Sequence, residues 1–213
     1  MKENLLVTLA DRNFIDQAKQ LFSSVYWNAG WKGDYMLLAH EIPEKDLKWF
    51  RDKGILVKKC EPLYKKSSGN YFLSAWKEYP PTLFDVIYIF KSGFKKWKNI
   101  VFLEADIIVR SSLDKLTKLK GVWTTGIFDN ILSDQFADNK IPEIIKKKYN
   151  LNEPSFNPGV IAFSTNIIND NSFKEIRKLS DNYREIRNGD GGIFNLFFYK
   201  KWKKATSKIQ ENS

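Results

Sequence analysis

The sequence is poor in sulfur and in histidine. Cys60 is the one cysteine in 213 residues, which excludes an internal disulfide and a cysteine-based metal cluster and fits a reducing compartment. His40 is the one histidine; it falls at the end of a predicted strand and reads as structural. Long apolar runs are missing too. The opening MKENLLVTLADR holds a short apolar stretch broken at Asp11, so it reads neither as a signal peptide nor as a membrane span, and no other stretch is long enough to cross a bilayer. A cytoplasmic protein, at most peripheral to a membrane, is expected. Acids are in deficit: 25 Asp and Glu against 35 Lys and Arg leave a formal charge of +10. That balance favours anionic partners: a nucleotide, a phosphorylated substrate, nucleic acid or an acidic membrane face.

What is present describes a globular chain. Hydrophobic residues at 43% and charged residues at 28% exclude a disordered one. The length suits a single domain over 1–213, without linker or internal repeat. Strands are predicted at 4–10, 35–40 and 55–60, with helices at 14–30 and 43–54 between them. That alternation argues for right-handed crossovers and a mainly parallel sheet. Residues 61–81 read as loop. A helix at 82–94, a strand at 100–103, a short helix at 111–119 and a strand at 121–129 follow. Beyond a polar stretch with a short helix come a strand at 156–164, an amphipathic helix at 171–187 and a last helix at 189–202 opening on a glycine-rich turn.

One stretch stands out. IVFLEADIIV (100–109) reads as a buried strand, yet holds Glu104 and Asp106. Buried carboxylates without partners are costly. Residues two apart on a strand share a side, so Glu104 and Asp106 face together while Ala105 faces away. At the carboxyl end of a parallel strand, such a pair can hold a hard divalent cation through oxygen.

VFLEADIIVRSSLDKL (101–116) resembles the YLDADxxVxxxLDEL segment of glycosyltransferase family 8. VTLADRNF (7–14), FNPGVIAFS (156–164) and NGDGGIFNLFF (188–198) resemble three further segments of that family, in the same order. The resemblance implies a fold and an activity. The fold is α/β: a single GT-A domain, a Rossmann-like mainly parallel mixed sheet flanked by helices. The activity is transfer of a hexose, with retained anomeric configuration, from a UDP-sugar to a glycan, lipid or protein acceptor, with Mn²⁺ or Mg²⁺ on the diphosphate. It implies Glu104 and Asp106 as metal ligands. Asp11, Asn13 and Phe14 would hold uridine over a floor of Thr8 and Ala10. Asn157 and Gly159 would face the donor sugar, Asp190 would bind sugar hydroxyls, and Asp129 is a further sugar or acceptor candidate. Ala105, Gly191 and Lys91 complete the expected donor surface.

The departures from that pattern are specific. Glu104 stands where the family has Asp. Gly191 stands where it has Gln. The family's C-terminal HxxGxxKPW segment, source of a third metal ligand and a diphosphate-binding lysine, is missing from this sequence. Lys91 is the nearest counterpart of a further basic side chain. The metal would then be held by two acids, the diphosphate and water. The tail FFYKKWKKATSK pairs aromatics with lysine, as membrane-resting tails do. A degenerate domain that binds nucleotide sugar without transfer and a basic nucleic-acid-binding domain are the other readings. No recognised motif supports the latter, and no nucleic acid is expected. Choice of sugar and acceptor is assigned to segments 61–81 and 130–155.

Overall fold

The computed structural model describes residues 1–64, 81–136, 141–183 and 189–205, with backbone alone at 81 and 126–129. β1 (Lys2–Ala10) passes through a 3₁₀ turn at Arg12–Phe14 into α1 (Ile15–Asn28); β2 (Asp34–His40), α2 (Glu44–Asp52) and β3 (Leu56–Cys60) follow. α1 forms because Ala18, Leu21, Phe22 and Val25 recur at helical spacing, and all four are buried. It stops at Gly30, whose φ of +59° is left-handed and suits glycine.

The second half supplies β4 (Trp97–Leu103), β5 (Val122–Ile131), α3 (Glu143–Lys148), β6 (Pro154–Ser164), α4 (Ser172–Asn182), α5 (Asp190–Phe197) and β7 (Trp202–Lys204). The described strands form one seven-stranded sheet in the order β3-β2-β1-β4-β6-β5-β7. β1, β2, β3 and β4 run parallel. β6 is antiparallel between β4 and β5, and β7 is parallel to β5. The expected mixed, mainly parallel sheet is therefore what forms. β1 is buried on both sides, as central parallel strands are. Leu5 and Val7 enter one core, Leu6 and Ala10 the other. α1 and α2 cover one face; the segment Pro81–Phe90, α4 and α5 cover the other.

Three predicted elements differ. The helix expected at 82–94 is a 3₁₀ helix at Pro81–Phe90 followed by a second at Ser92–Lys96. Its apolar side chains point all round, and Phe84, Val86, Ile87, Ile89 and Phe90 are all buried. Burial rather than amphipathic periodicity holds it. The helix expected at 171–187 ends at Asn182, and 184–188 lie outside the described residues. The helix expected at 189–202 ends at Phe197, and the chain reverses through Lys200 at φ +56°. Trp202–Lys204 then joins the sheet beside Val122–Thr124. The Trp202 ring packs 5.2 Å from that of Phe156. That contact packs the Trp202 ring against β6. The loop expected at 61–81 lies outside the described residues from 65 to 80. Among the described residues no helix is long and apolar enough to cross a membrane.

Candidate active site

The chain winds outward from β1 to β3, then returns to place β4 on the other side of β1. That reversal opens a crevice beyond the carboxyl ends of β1 and β4, where open α/β sheets bind ligands. Asp11 follows the last residue of β1, and Glu104 follows the last residue of β4.

The acids do not lie on a strand. β4 stops at Leu103, and residues 104–107 turn, with the Ile107 N–H donating to the Glu104 carbonyl at 3.2 Å. Strand alternation therefore does not pair Glu104 with Asp106: the turn, not the pleat, brings the carboxylates together. Ala105 still faces away, buried in the core beneath α1 and α2. Glu104 is half-buried and Asp106 exposed. Burial, and then the charge of Asp106, push the Glu104 carboxyl above its usual range.

β6 closes the crevice from the far side. The Glu104 N–H donates to the Gly159 carbonyl at 2.9 Å. The Gly159 N–H donates to Asn157 Oδ1 at 2.7 Å. This fixes the Asn157 amide with its oxygen engaged and leaves its nitrogen as the donor for a ligand. A Cβ on Gly159 would sit 2.7 Å from Glu104 Oε2 and 3.1 Å from Asn157 Oδ1. Only glycine lets these two side chains approach so closely.

Asp190 is the first residue of α5, after Gly189 at φ +55°. It is buried. Burial, and then the charge of Glu104, push its carboxyl up to about 8, against opposing hydrogen bonds from its own N–H and that of Gly191. Gly191 is buried in the same first turn. Sequence reasoning missed the residue that fastens this turn. Asn195 accepts from the Phe156 N–H at 2.9 Å and donates to the carbonyls of Phe156 at 2.9 Å and Gly191 at 2.8 Å. One buried amide thus ties α5 to β6 beside Asn157. The polar residue in an otherwise apolar IFNLFF was the available signal.

At the β1 side, Asp11 caps the 3₁₀ turn by accepting from the Asn13 N–H at 2.8 Å. Its other oxygen accepts from Thr82 Oγ1 at 3.5 Å. Asn13 and Phe14 are exposed at the lip, Phe14 by 43%. Thr8 and Ala10 are buried below, and Thr8 Oγ1 has no hydrogen-bond partner among the described residues. His40, expected to be structural, is paired: Nδ1 lies 2.5 Å from Asp85 Oδ2, and Asp85 Oδ1 accepts from the Leu63 N–H at 3.0 Å. Burial alone would lower the imidazole pKa. The Asp85 hydrogen bond, with the charges of Asp85, Glu41 and Asp11, outweighs it and raises the pKa. Asp85 was the second residue missed.

One expected residue, Lys91, is not brought to the crevice. Lys91 follows the buried 3₁₀ helix and sits 4.2 Å from the Tyr88 ring centroid and 4.6 Å from that of Phe173, near the first residue of β4. The cleft that Lys91 lines includes none of Asp11, Glu104, Asp106 or Asp190, so Lys91 is not placed beside the acids. Asp129 lies on β5, with its side chain outside the described residues.

Hard-cation chemistry fits what remains. Glu104 feels the charge of Asp106, and Asp190 feels that of Glu104, with no ion pair from any of the three to Lys, Arg or His among the described residues. The close pack on Gly159 aims the Glu104 carboxylate. No set of three or more His, Cys, Asp or Glu forms a metal centre among the described residues, so a cation here would take further oxygens from a ligand and water.

The sequence profile described as "Glycosyl transferase family 8" matches residues 5–208. Glycosyltransferase GlyB of Streptococcus pneumoniae serotype 4 is 28% identical over 116 residues, covering 54% of this chain and 25% of GlyB. The fold matches the galactosyltransferase LgtC in complex with donor and acceptor sugar analogues at a TM-score of 0.68, 16% identical, over 96% of this chain and 74% of LgtC. It matches the bifunctional glycosyltransferase WbbM at a TM-score of 0.69, 14% identical, over 97% of this chain and 39% of WbbM. At these identities the structural likeness concerns the fold. The chain thus spans about a quarter of GlyB and well under half of WbbM.

Proposed function

Because the chain belongs to glycosyl transferase family 8, we propose that it moves a hexose from a UDP-sugar to a glycan, lipid or protein acceptor. The observation that carries this reading is the gathering of Asp11, Glu104, Asp106, Asn157 and Asp190 around the crevice beyond β1 and β4, with Glu104, Asp106 and Asp190 in no ion pair to Lys, Arg or His among the described residues. LgtC, a structural relative, takes donor and acceptor sugar analogues on the same fold.

In this reading Asp11 accepts from the imide N–H of uracil, and Phe14 stacks on the base, worth about 1–3 kcal/mol by analogy with nucleic-acid stacking. Asn13 meets the ribose. Glu104 and Asp106 would hold Mn²⁺ or Mg²⁺, which when bound supplies Lewis-acid stabilisation of the leaving diphosphate. The Asn157 amide nitrogen donates to a sugar hydroxyl, held in aim by the Gly159 N–H on its oxygen. Asp190 sits above the usual carboxylate range. At neutral pH it is protonated, and it can both donate to and accept from sugar hydroxyls. Gly191 offers no side chain to the reaction face. That suits a front-face transfer in which a leaving phosphate oxygen takes the acceptor proton.

Release of free UDP from UDP-glucose or UDP-galactose with Mn²⁺ tests the reading. Turnover lost in Asp106→Ala is the expected result. Saturable UDP binding without turnover of either donor, with acceptor supplied, would instead assign a binding-only domain, the reading that Gly191 in place of Gln favours.

A further inference from the structure

Lys91 left the donor crevice for a cleft of its own. This cleft of about 470 Å³ is lined by Met36 of β2 and by Trp97, the first residue of β4, and includes none of Asp11, Glu104, Asp106 or Asp190. Lys58, Lys91, Lys96 and Lys174 also line it, against the one carboxylate of Asp170. None of the four lysines forms an ion pair among the described residues. Aromatic rings hold three of them instead: Lys91 lies between Tyr88 and Phe173, Lys96 sits 4.2 Å from the Trp97 centroid, and Lys58 sits 6.0 Å from that of Tyr88.

Solvated lysines spread apart, because like charges repel and the stem is flexible. Here the half-buried Lys91 is kept near Lys58. Its pKa is lowered by burial and then by the Lys58 charge. Four cations lining one concave wall, with Asp170 among them, are complementary to an anion of two or more charges. Lysine meets phosphate as a point charge with several donors. The hollow is large enough for a phosphate on a small carrier and is not the flat surface a bilayer presents.

We propose that this cleft binds a phosphate group on a soluble ligand, at a site separate from the crevice beyond β1 and β4. The cleft's lining includes none of Asp11, Glu104, Asp106, Asn157 or Asp190, so the two sites can be tested apart.

The experiment titrates inorganic pyrophosphate into the full chain in the presence of a chelator, with calorimetry and thermal unfolding as readouts. Saturable stabilisation at millimolar pyrophosphate is expected. Each lost charge-assisted contact, at about 1.5 kcal/mol, weakens binding about tenfold. Lys174→Gln should therefore bind about tenfold more weakly, and the Lys58→Gln/Lys91→Gln double variant about a hundredfold. Lys174 is exposed at the rim, so its variant keeps the wild-type melting point without ligand. Asp106→Ala should bind pyrophosphate as the wild type does. No stabilisation of the wild type, or equal binding by the lysine variants, would overturn the proposal. So would lysine-dependent pelleting with phosphatidylglycerol–phosphatidylcholine vesicles without any pyrophosphate response, which would assign the lysines to a membrane.

Discussion

Asp190 makes the clearest statement at the scale of one residue. Its folded pKa of about 8 lies above the usual value near 4. A native carboxyl that keeps its proton while the unfolded chain releases it loses stability as pH rises. The loss begins near pH 4, grows to about pH 8 and is constant beyond. Asp190→Asn is therefore expected to unfold at higher denaturant than the wild type at pH 8.5, by on the order of a few kcal/mol, with the two curves converging near pH 4. The same variant should slow transfer about a hundredfold. Parallel pH profiles would contradict the assignment. Gly159→Ala tests the opposite wall. Its new methyl meets the far end of a flexible carboxylate, so stability should change by less than about 1 kcal/mol. The displaced Glu104 should nevertheless blunt the thermal response to UDP with Mn²⁺. An unchanged response would show that Glu104 has room to move without consequence.

At the scale of elements, Asn195 and Asp85 carry the load. Asn195→Ala strands the Phe156 N–H and two carbonyls and should cost about 2–3 kcal/mol in urea unfolding, with α5 exchanging its amide hydrogens faster than β1. Asp85→Asn breaks the buried pair with His40 and should cost about 3–5 kcal/mol at pH 6. The sign of the pH dependence follows from the raised imidazole pKa. The pair's contribution is full below pH 6.5 and fades as pH rises through the folded value, so wild type and Asp85→Asn should draw closer above it. An equal gap at pH 6 and pH 9 would contradict a charged pair. These elements also show what the sequence could reveal. Strand–helix alternation in residues 4–60 was legible because its periods differ, two for strands and 3.6 for helices. Pro81–Phe90 was read as an ordinary helix because an all-apolar run has no face to betray its winding. Trp202–Lys204 looked like the end of a helix because edge pairing with Val122–Thr124 is a tertiary event that local propensity does not see. Glu104, Asp106, Asp11, Asn157 and Asp190 were legible as candidates. Asn195 and Asp85 were not, because their partners lie 39 and 45 residues away.

At the scale of the molecule, charge is divided between two separate hollows. The carboxyl ends of β1 and β4 gather acids, and the second cleft gathers Lys58, Lys91, Lys96 and Lys174. A formal charge of +10 therefore coexists with an electronegative crevice. The account expects a diphosphate to enter that crevice only with its cation, since two acids alone would repel it. Thermal unfolding of the wild type and of Asp106→Ala with UDP, with Mn²⁺ and with both measures this directly. A shift for the wild type only with both together, absent in Asp106→Ala, is the expected result. An equal shift with UDP alone, or an undiminished shift in Asp106→Ala, would contradict it.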